Sequence, residues 1–233
     1  MELSLTRKQL NECKVYLDPL IREIRASGNT DRAAWSMKYL KNQFTCLGIE
    51  AKIFRGIIKD FFKNNVSPAE TGIDTCALYL WNLPEREFQY AAIEILMKFK
   101  KLLKKEDIQL LEYMITSKSW WDTVDGIAAW LCGTYFNKYP EQIKSVTNSW
   151  VKSDNMWLQR SALLFQLKYK KETNTDLLAR YIELLIDSKE FFIRKAIGWV
   201  LREYSKTDPS WVAGFVENHE LSGLSRREAT KYI

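Results

Sequence analysis

Four residues spaced at one interval carry the most chemistry in this chain: Tyr90, Asp125, Arg160 and Lys195, each 35 residues from the next. Trp121 stands four residues before Asp125, and Trp199 four after Lys195. On helices that is one turn, so each indole shares a face with its charged neighbour. Indole faces attract cations by about 0.5–2 kcal/mol. His219 is the only histidine, which excludes most histidine-dependent acid–base and nucleophilic chemistry. Cys13, Cys46, Cys76 and Cys132 are scattered, with no CxxC pair and no adjacent histidine, so metal-ligand spacing is absent. What remains is chemistry that one ionised carboxylate can perform. A purine alkylated on a ring nitrogen is already a cation, and it leaves its sugar as a neutral base without a general acid. Positive charge then develops on the sugar, where an ionised Asp125 could stabilise it. At a separation of about 4 Å and an effective dielectric near 20, that attraction is about 4 kcal/mol, a thousandfold in rate. The same carboxylate could align a water for attack on the anomeric carbon.

The elements that must position these residues read as helices. Ile108, Leu111 and Met114 form one apolar stripe at helical spacing, and Leu177, Tyr181, Leu184 and Leu185 form another. Pro68-Ala69-Glu70, Pro84-Glu85, Pro140-Glu141 and Asp208-Pro209 place proline where a first helical turn begins. Ser153-Asp154-Asn155 and Asp187-Ser188-Lys189 read as short loops between periodic runs. When the four charged or aromatic residues above are aligned, Ala92, Ile127, Ala162 and Ile197 fall two positions later as expected core. A period of this length is produced by stacked helix pairs, which form a curved solenoid with a concave face. The fold expected is therefore all-α, a superhelical solenoid of HEAT-like repeats, with residues 1–233 as a single domain. Tyr90, Asp125, Arg160 and Lys195 are expected to face away from the core along one side.

The chain has 233 residues, enough for a sizeable core, and its 35 Lys+Arg exceed its 29 Asp+Glu, giving +6. Residues 151–200 carry nine Lys+Arg against six Asp+Glu. Lys168, Lys170, Lys171, Arg194, Lys195 and Arg202 thicken around the charged column and would suit a phosphate backbone. From charge alone the strip reads equally as a solvated helix face. Of the remaining tryptophans, Trp35, Trp81, Trp130, Trp150 and Trp211 are expected in core or groove-edge packing. The four cysteines are expected to be buried, reduced thiols. MELSLTRKQL lacks the apolar segment of a secretory signal, and no apolar run is long enough to span a bilayer. The expected location is the cytoplasm, with no membrane association.

Several stretches resemble the AlkD-like DNA alkylation repair glycosylases. They are Ser117-Lys118-Ser119-Trp120-Trp121-Asp122-Thr123-Val124-Asp125, Trp157-Leu158-Gln159-Arg160, and the run from Lys189 through Phe192 and Arg194 to Trp199. Tyr39-Leu40-Lys41-Asn42, Leu83-Pro84-Glu85-Arg86-Glu87-Phe88-Gln89 and Leu224-Ser225-Arg226-Arg227-Glu228-Ala229 match as well. The resemblance covers nearly all of the chain beyond about residue 30. It implies a HEAT-like superhelix whose concave, basic face holds duplex DNA. The implied activity is excision of cationic 3-methyladenine and 7-methylguanine, leaving an abasic site, without metal, cofactor or base-binding pocket. By position, it makes Asp125 the catalytic carboxylate, sets Trp121 and Trp199 against the sugar and backbone of the lesion, and makes Arg160 a backbone or phosphate contact beside the cleaved bond. Tyr39 and the six basic residues named above are the further DNA-binding candidates. The expected partner is double-stranded DNA containing alkylated purines, bound by a monomer. The alternatives are a non-catalytic helical-repeat module that binds damaged or branched DNA, and a protein-binding solenoid with no nucleic-acid role.

Overall fold

Helix follows helix along a computed structural model that describes residues 3–65 and 72–233, and no strand occurs among them. The chain divides into two compact units, Met1–Leu110 and Leu111–Ile233. In the first, α1 (Arg7–Ala26) begins with a capping box, in which Thr6 and Gln9 satisfy each other's backbone amides. It is followed by α2 (Thr30–Tyr39), α3 (Ala51–Asn64), α4 (Ile73–Asn82) and α5 (Arg86–Lys98). Buried Leu17, Leu20, Ile24, Ile58, Trp81, Phe88 and Ala92 form its core. The Leu83–Gln89 stretch is structural here. Glu87 accepts from the amides of Leu47 and Gly48 at 2.9 and 2.8 Å, Gln89 donates to the carbonyls of Trp81 and Leu83, and the Arg86 guanidinium lies 3.7 Å from the Phe44 ring centroid.

Then come α6 (Ile108–Thr116), α7 (Trp121–Gly126), a π-helical turn (Ile127–Cys132), α8 (Gly133–Lys138), α9 (Ile143–Val151) and α10 (Met156–Leu164). The chain closes with α11 (Thr175–Leu185), α12 (Phe191–Ser205), α13 (Pro209–Asn218) and α14 (Gly223–Ala229). In the second unit Ile127, Ala162 and Ile197 are buried, as the 35-residue alignment requires, together with Leu111, Met114, Trp150, Leu163 and Leu201. Asp208 caps α13 with Pro209 in its first turn, whereas Pro140 opens a short 3-10 turn that leads into α9. The Pro68-Ala69-Glu70 start lies outside the described residues. Asn155, at the end of the Ser153–Asn155 loop, caps α10 by accepting from the amides of Trp157 and Leu158.

Two expectations about packing need correction. Leu177, Tyr181 and Leu185 are buried, but Leu184 is 51% exposed: it sits one step off the stripe. Trp81 and Trp150 are core, Trp211 is partly covered, but Trp35 and Trp130 are 66% and 47% exposed. Each exposed indole has a partner on the surface: Trp35 stacks on Tyr39 at 5.3 Å, and Lys168 lies over Trp130 at 5.5 Å. The four cysteines are buried and unbridged. Among the described residues, no helix is long and apolar enough to cross a membrane, and no group of His, Cys, Asp and Glu could hold a metal ion.

Candidate functional site

The turn that aims Asp125 is built by hydroxyl side chains. At the end of α6, the Tyr113 carbonyl accepts from both the amide and the hydroxyl of Ser117 at 2.8 and 2.6 Å, and the Ile115 carbonyl accepts from the Ser119 hydroxyl at 2.7 Å. Lys118 takes a left-handed backbone conformation at φ 48°, and Trp120 returns to an extended one before α7 starts. This reversal puts Trp121 and Asp125 on consecutive turns. Immediately beyond Gly126 the helix widens into the π-helical turn, a feature frequent beside functional sites. Trp120 packs against Trp157 and Phe192, with ring centroids 5.9 and 5.5 Å away, and Trp157 meets Phe192 at 5.0 Å. This aromatic cluster joins α7, α10 and α12.

Arg160 completes the site from α10. Its Nε and Nη2 donate to the two oxygens of Asp125 at 2.7 and 2.9 Å, a bidentate pair. Nη1 donates to the Phe192 carbonyl, and the guanidinium lies about 6 Å from the ring centroids of Phe192 and Trp199. Arg160 is 3% exposed, whereas the Asp125 side chain retains 19%. The arginine therefore does not stand out along the strip as expected; it folds back and fixes the carboxylate. Asp125 accepts one bond at each oxygen from Arg160, which leaves lone pairs facing outward.

Outward is an open cavity of about 270 Å³ lined by Trp121, Asp125, Arg160, Phe191, Phe192, Lys195, Trp199 and Arg202. Three members of the 35-residue column and both flanking indoles thus share one cavity. Tyr90 belongs to the first unit and packs on Phe54. Among the basic candidates, Lys195 and Arg202 line this cavity and both bond to Glu228. Lys168 and Lys170 line a different cavity with Lys206, where Glu203 pairs with Lys168 and Lys206. Lys171 is exposed on the same short turn as Lys170, and Arg194 donates to the Ser188 carbonyl outside both linings. Tyr39, at the end of α2, is exposed beside Trp35. The reading from sequence missed Phe191, Phe192 and Glu228. Phe192 lies three residues before Lys195 and seven before Trp199, a helical-face spacing that could have revealed it.

The family model for DNA alkylation repair enzymes matches residues 20–233. Among solved structures, a protein from Enterococcus faecalis described as a predicted DNA alkylation repair enzyme shares 32% identity. The match has a TM-score of 0.80 and covers 89% of this chain and 97% of that one. AlkD2 from Streptococcus mutans shares 20% identity over 86% of this chain and 99% of its own, with a TM-score of 0.59. The smu.31 protein of Streptococcus mutans UA159 gives 20%, 87%, 99% and 0.58. These last two show a common helical-repeat fold. No curated protein matches the chain.

Proposed function

Because this chain belongs to the DNA alkylation repair enzymes, we propose that it is a DNA glycosylase that releases cationic alkylated purines, 3-methyladenine and 7-methylguanine, from duplex DNA. One observation carries the reading: the Asp125 carboxylate, clamped at both oxygens by a buried arginine, faces a cavity walled by Trp121 and Trp199.

The chemistry follows from the charge already on the lesion. The electron pair of the bond between the anomeric carbon and the ring nitrogen moves into the purine and cancels its positive charge. No proton donor is required for departure. The sugar becomes oxocarbenium-like, and Asp125 stabilises it through space without reorganising, because Arg160 has fixed its position beforehand. A water held by an outward lone pair of Asp125 adds to the anomeric carbon and passes its proton to that carboxylate, leaving an abasic site. Trp121 and Trp199 pack against the sugar and backbone, and their indole faces favour the cationic intermediate over its neutral products. Lys195 and Arg202 hold a flanking phosphate. The cavity is open, which suits attack on a nucleotide that is not drawn into a deep base pocket.

Incubation with a duplex carrying one 7-methylguanine tests this directly, with Asp125→Asn in parallel. Wild-type protein is expected to release the base and leave an abasic site. Asp125→Asn is expected to lose about a thousandfold in rate while still binding the duplex. Release by the variant at the wild-type rate would remove Asp125 from the reaction. Binding without any release by the wild type would make the chain a non-catalytic DNA-binding module.

A further inference from the structure

Gly198, buried on α12, marks where α14 crosses it. A Cβ at Gly198 would stand 2.5 Å from the Glu228 Cβ and 2.8 Å from the Ser225 carbonyl oxygen, so any side chain there would force the helices apart. The crossing is fastened by the Ser225 hydroxyl, which donates to the Arg194 carbonyl at 2.9 Å. The approach delivers one carboxylate to α12. Lys195 Nζ donates to one oxygen of Glu228 at 2.5 Å, and Arg202 Nη1 donates to the other. Lys195 and Arg202, seven residues apart and so on one helix face, both line the Asp125 cavity, while Glu228 stands behind them outside its lining.

We propose that Glu228 is a positioning residue for base excision: it holds Lys195 and Arg202 in place for a DNA phosphate and keeps them from neutralising Asp125. The proposal rests on the glycosylase reading. Asp125 already carries one full counter-charge in Arg160. Its power to stabilise a cationic sugar depends on receiving no second one. Lys195 is a compact charge on a flexible four-carbon stem in the same cavity. Released from Glu228, it can swing to the outward lone pairs of Asp125, which are the ones facing the substrate. Glu228 also cancels one positive charge in the field that a phosphate meets. Its removal should therefore affect binding and chemistry in opposite directions, whereas loss of a purely architectural contact would weaken both.

The experiment uses Glu228→Gln, which keeps the shape and removes the charge. Its readouts are the single-turnover release of 7-methylguanine at saturating protein, and the Kd for the same duplex by fluorescence anisotropy across a salt series. The expected result is a release rate at least tenfold lower, with affinity equal or several-fold tighter and a salt dependence steeper by about one counterion. In a Lys195→Met background the same Glu228→Gln change should cost much less rate, because the cation that interferes is gone. This comparison holds even if the single variant melts early. An unchanged release rate in Glu228→Gln, or rate, affinity and melting temperature all falling together, would overturn the proposal while leaving the glycosylase reading intact. Absence of release by the wild-type protein would instead overturn both.

Discussion

Arg160 and Asp125 form a pair in which geometry matters more than charge. The guanidinium meets both carboxylate oxygens, and its third bonded nitrogen is anchored on the Phe192 carbonyl. Lysine at this position would keep the charge but offer a single point donor in place of a planar fork. Arg160→Lys should lower the excision rate by about 10–100-fold, from roughly 1 Å of lost carboxylate placement, with duplex affinity within a fewfold of wild type. Arg160→Ala goes further and strands a mostly buried carboxylate. That should cost about 3 kcal/mol, the low end for a broken buried pair because Asp125 retains some solvent contact. Differential scanning calorimetry would show it as a melting temperature lower by about 6–12 °C in a chain of this size. A lysine variant with full activity would mean that orientation of Asp125 is not limiting. The types and spacing of these residues were legible in the sequence, but the fold-back of Arg160 was not. Burial of an arginine is decided by the partner and carbonyl that meet it, and those come from other helices.

At the scale of elements, the sequence exposed helices and their period while hiding how closely they approach one another. Prolines and capping residues mark local backbone choices, so the starts of α10 and α13 could be read directly. The π-helical turn after Gly126 and the left-handed Lys118 have no such local signature, because neighbouring helices select them. Gly198 is the sharpest case: one glycine in an apolar run sets the spacing of α12 and α14. Gly198→Ala should destabilise the protein by about 1–3 kcal/mol through overpacking and separate Glu228 from Lys195. That separation has a pH signature. The hydrogen bond from Lys195 holds the Glu228 carboxyl below the usual carboxylate range. Its stabilisation is therefore complete above the ordinary glutamate value of about 4.3 and lost as pH falls through the lowered one. Melting curves should accordingly show the deficit of Gly198→Ala greatest near neutrality and smaller at about pH 3. A deficit constant across that range would mean that the alanine is accommodated without disturbing Glu228.

Across the whole molecule, the excess of six positive charges overstates what a phosphate backbone would meet. Six basic residues were legible as candidates, namely Lys168, Lys170, Lys171, Arg194, Lys195 and Arg202. Their carboxylate partners were not legible, since Glu203 and Glu228 reach Lys168, Lys195 and Arg202 from 26 to 35 residues away. Glu203 bonds to Lys168 and Lys206, and Glu228 to Lys195 and Arg202, so each of these cations shares its charge with an acid. If all six candidates neutralised one phosphate each, the slope of log affinity against log salt would be about −5 for duplex DNA. With both carboxylates kept in place, two of those charges are cancelled and the slope should be about −3 to −4. Anisotropy titrations of an undamaged duplex from low to moderate salt measure it, and Glu203→Gln should steepen the slope by about one. A wild-type slope of −5 or beyond would mean that DNA displaces the carboxylates on binding. A slope near zero, with no measurable affinity at low salt, would favour a protein-binding solenoid and remove DNA from the account altogether.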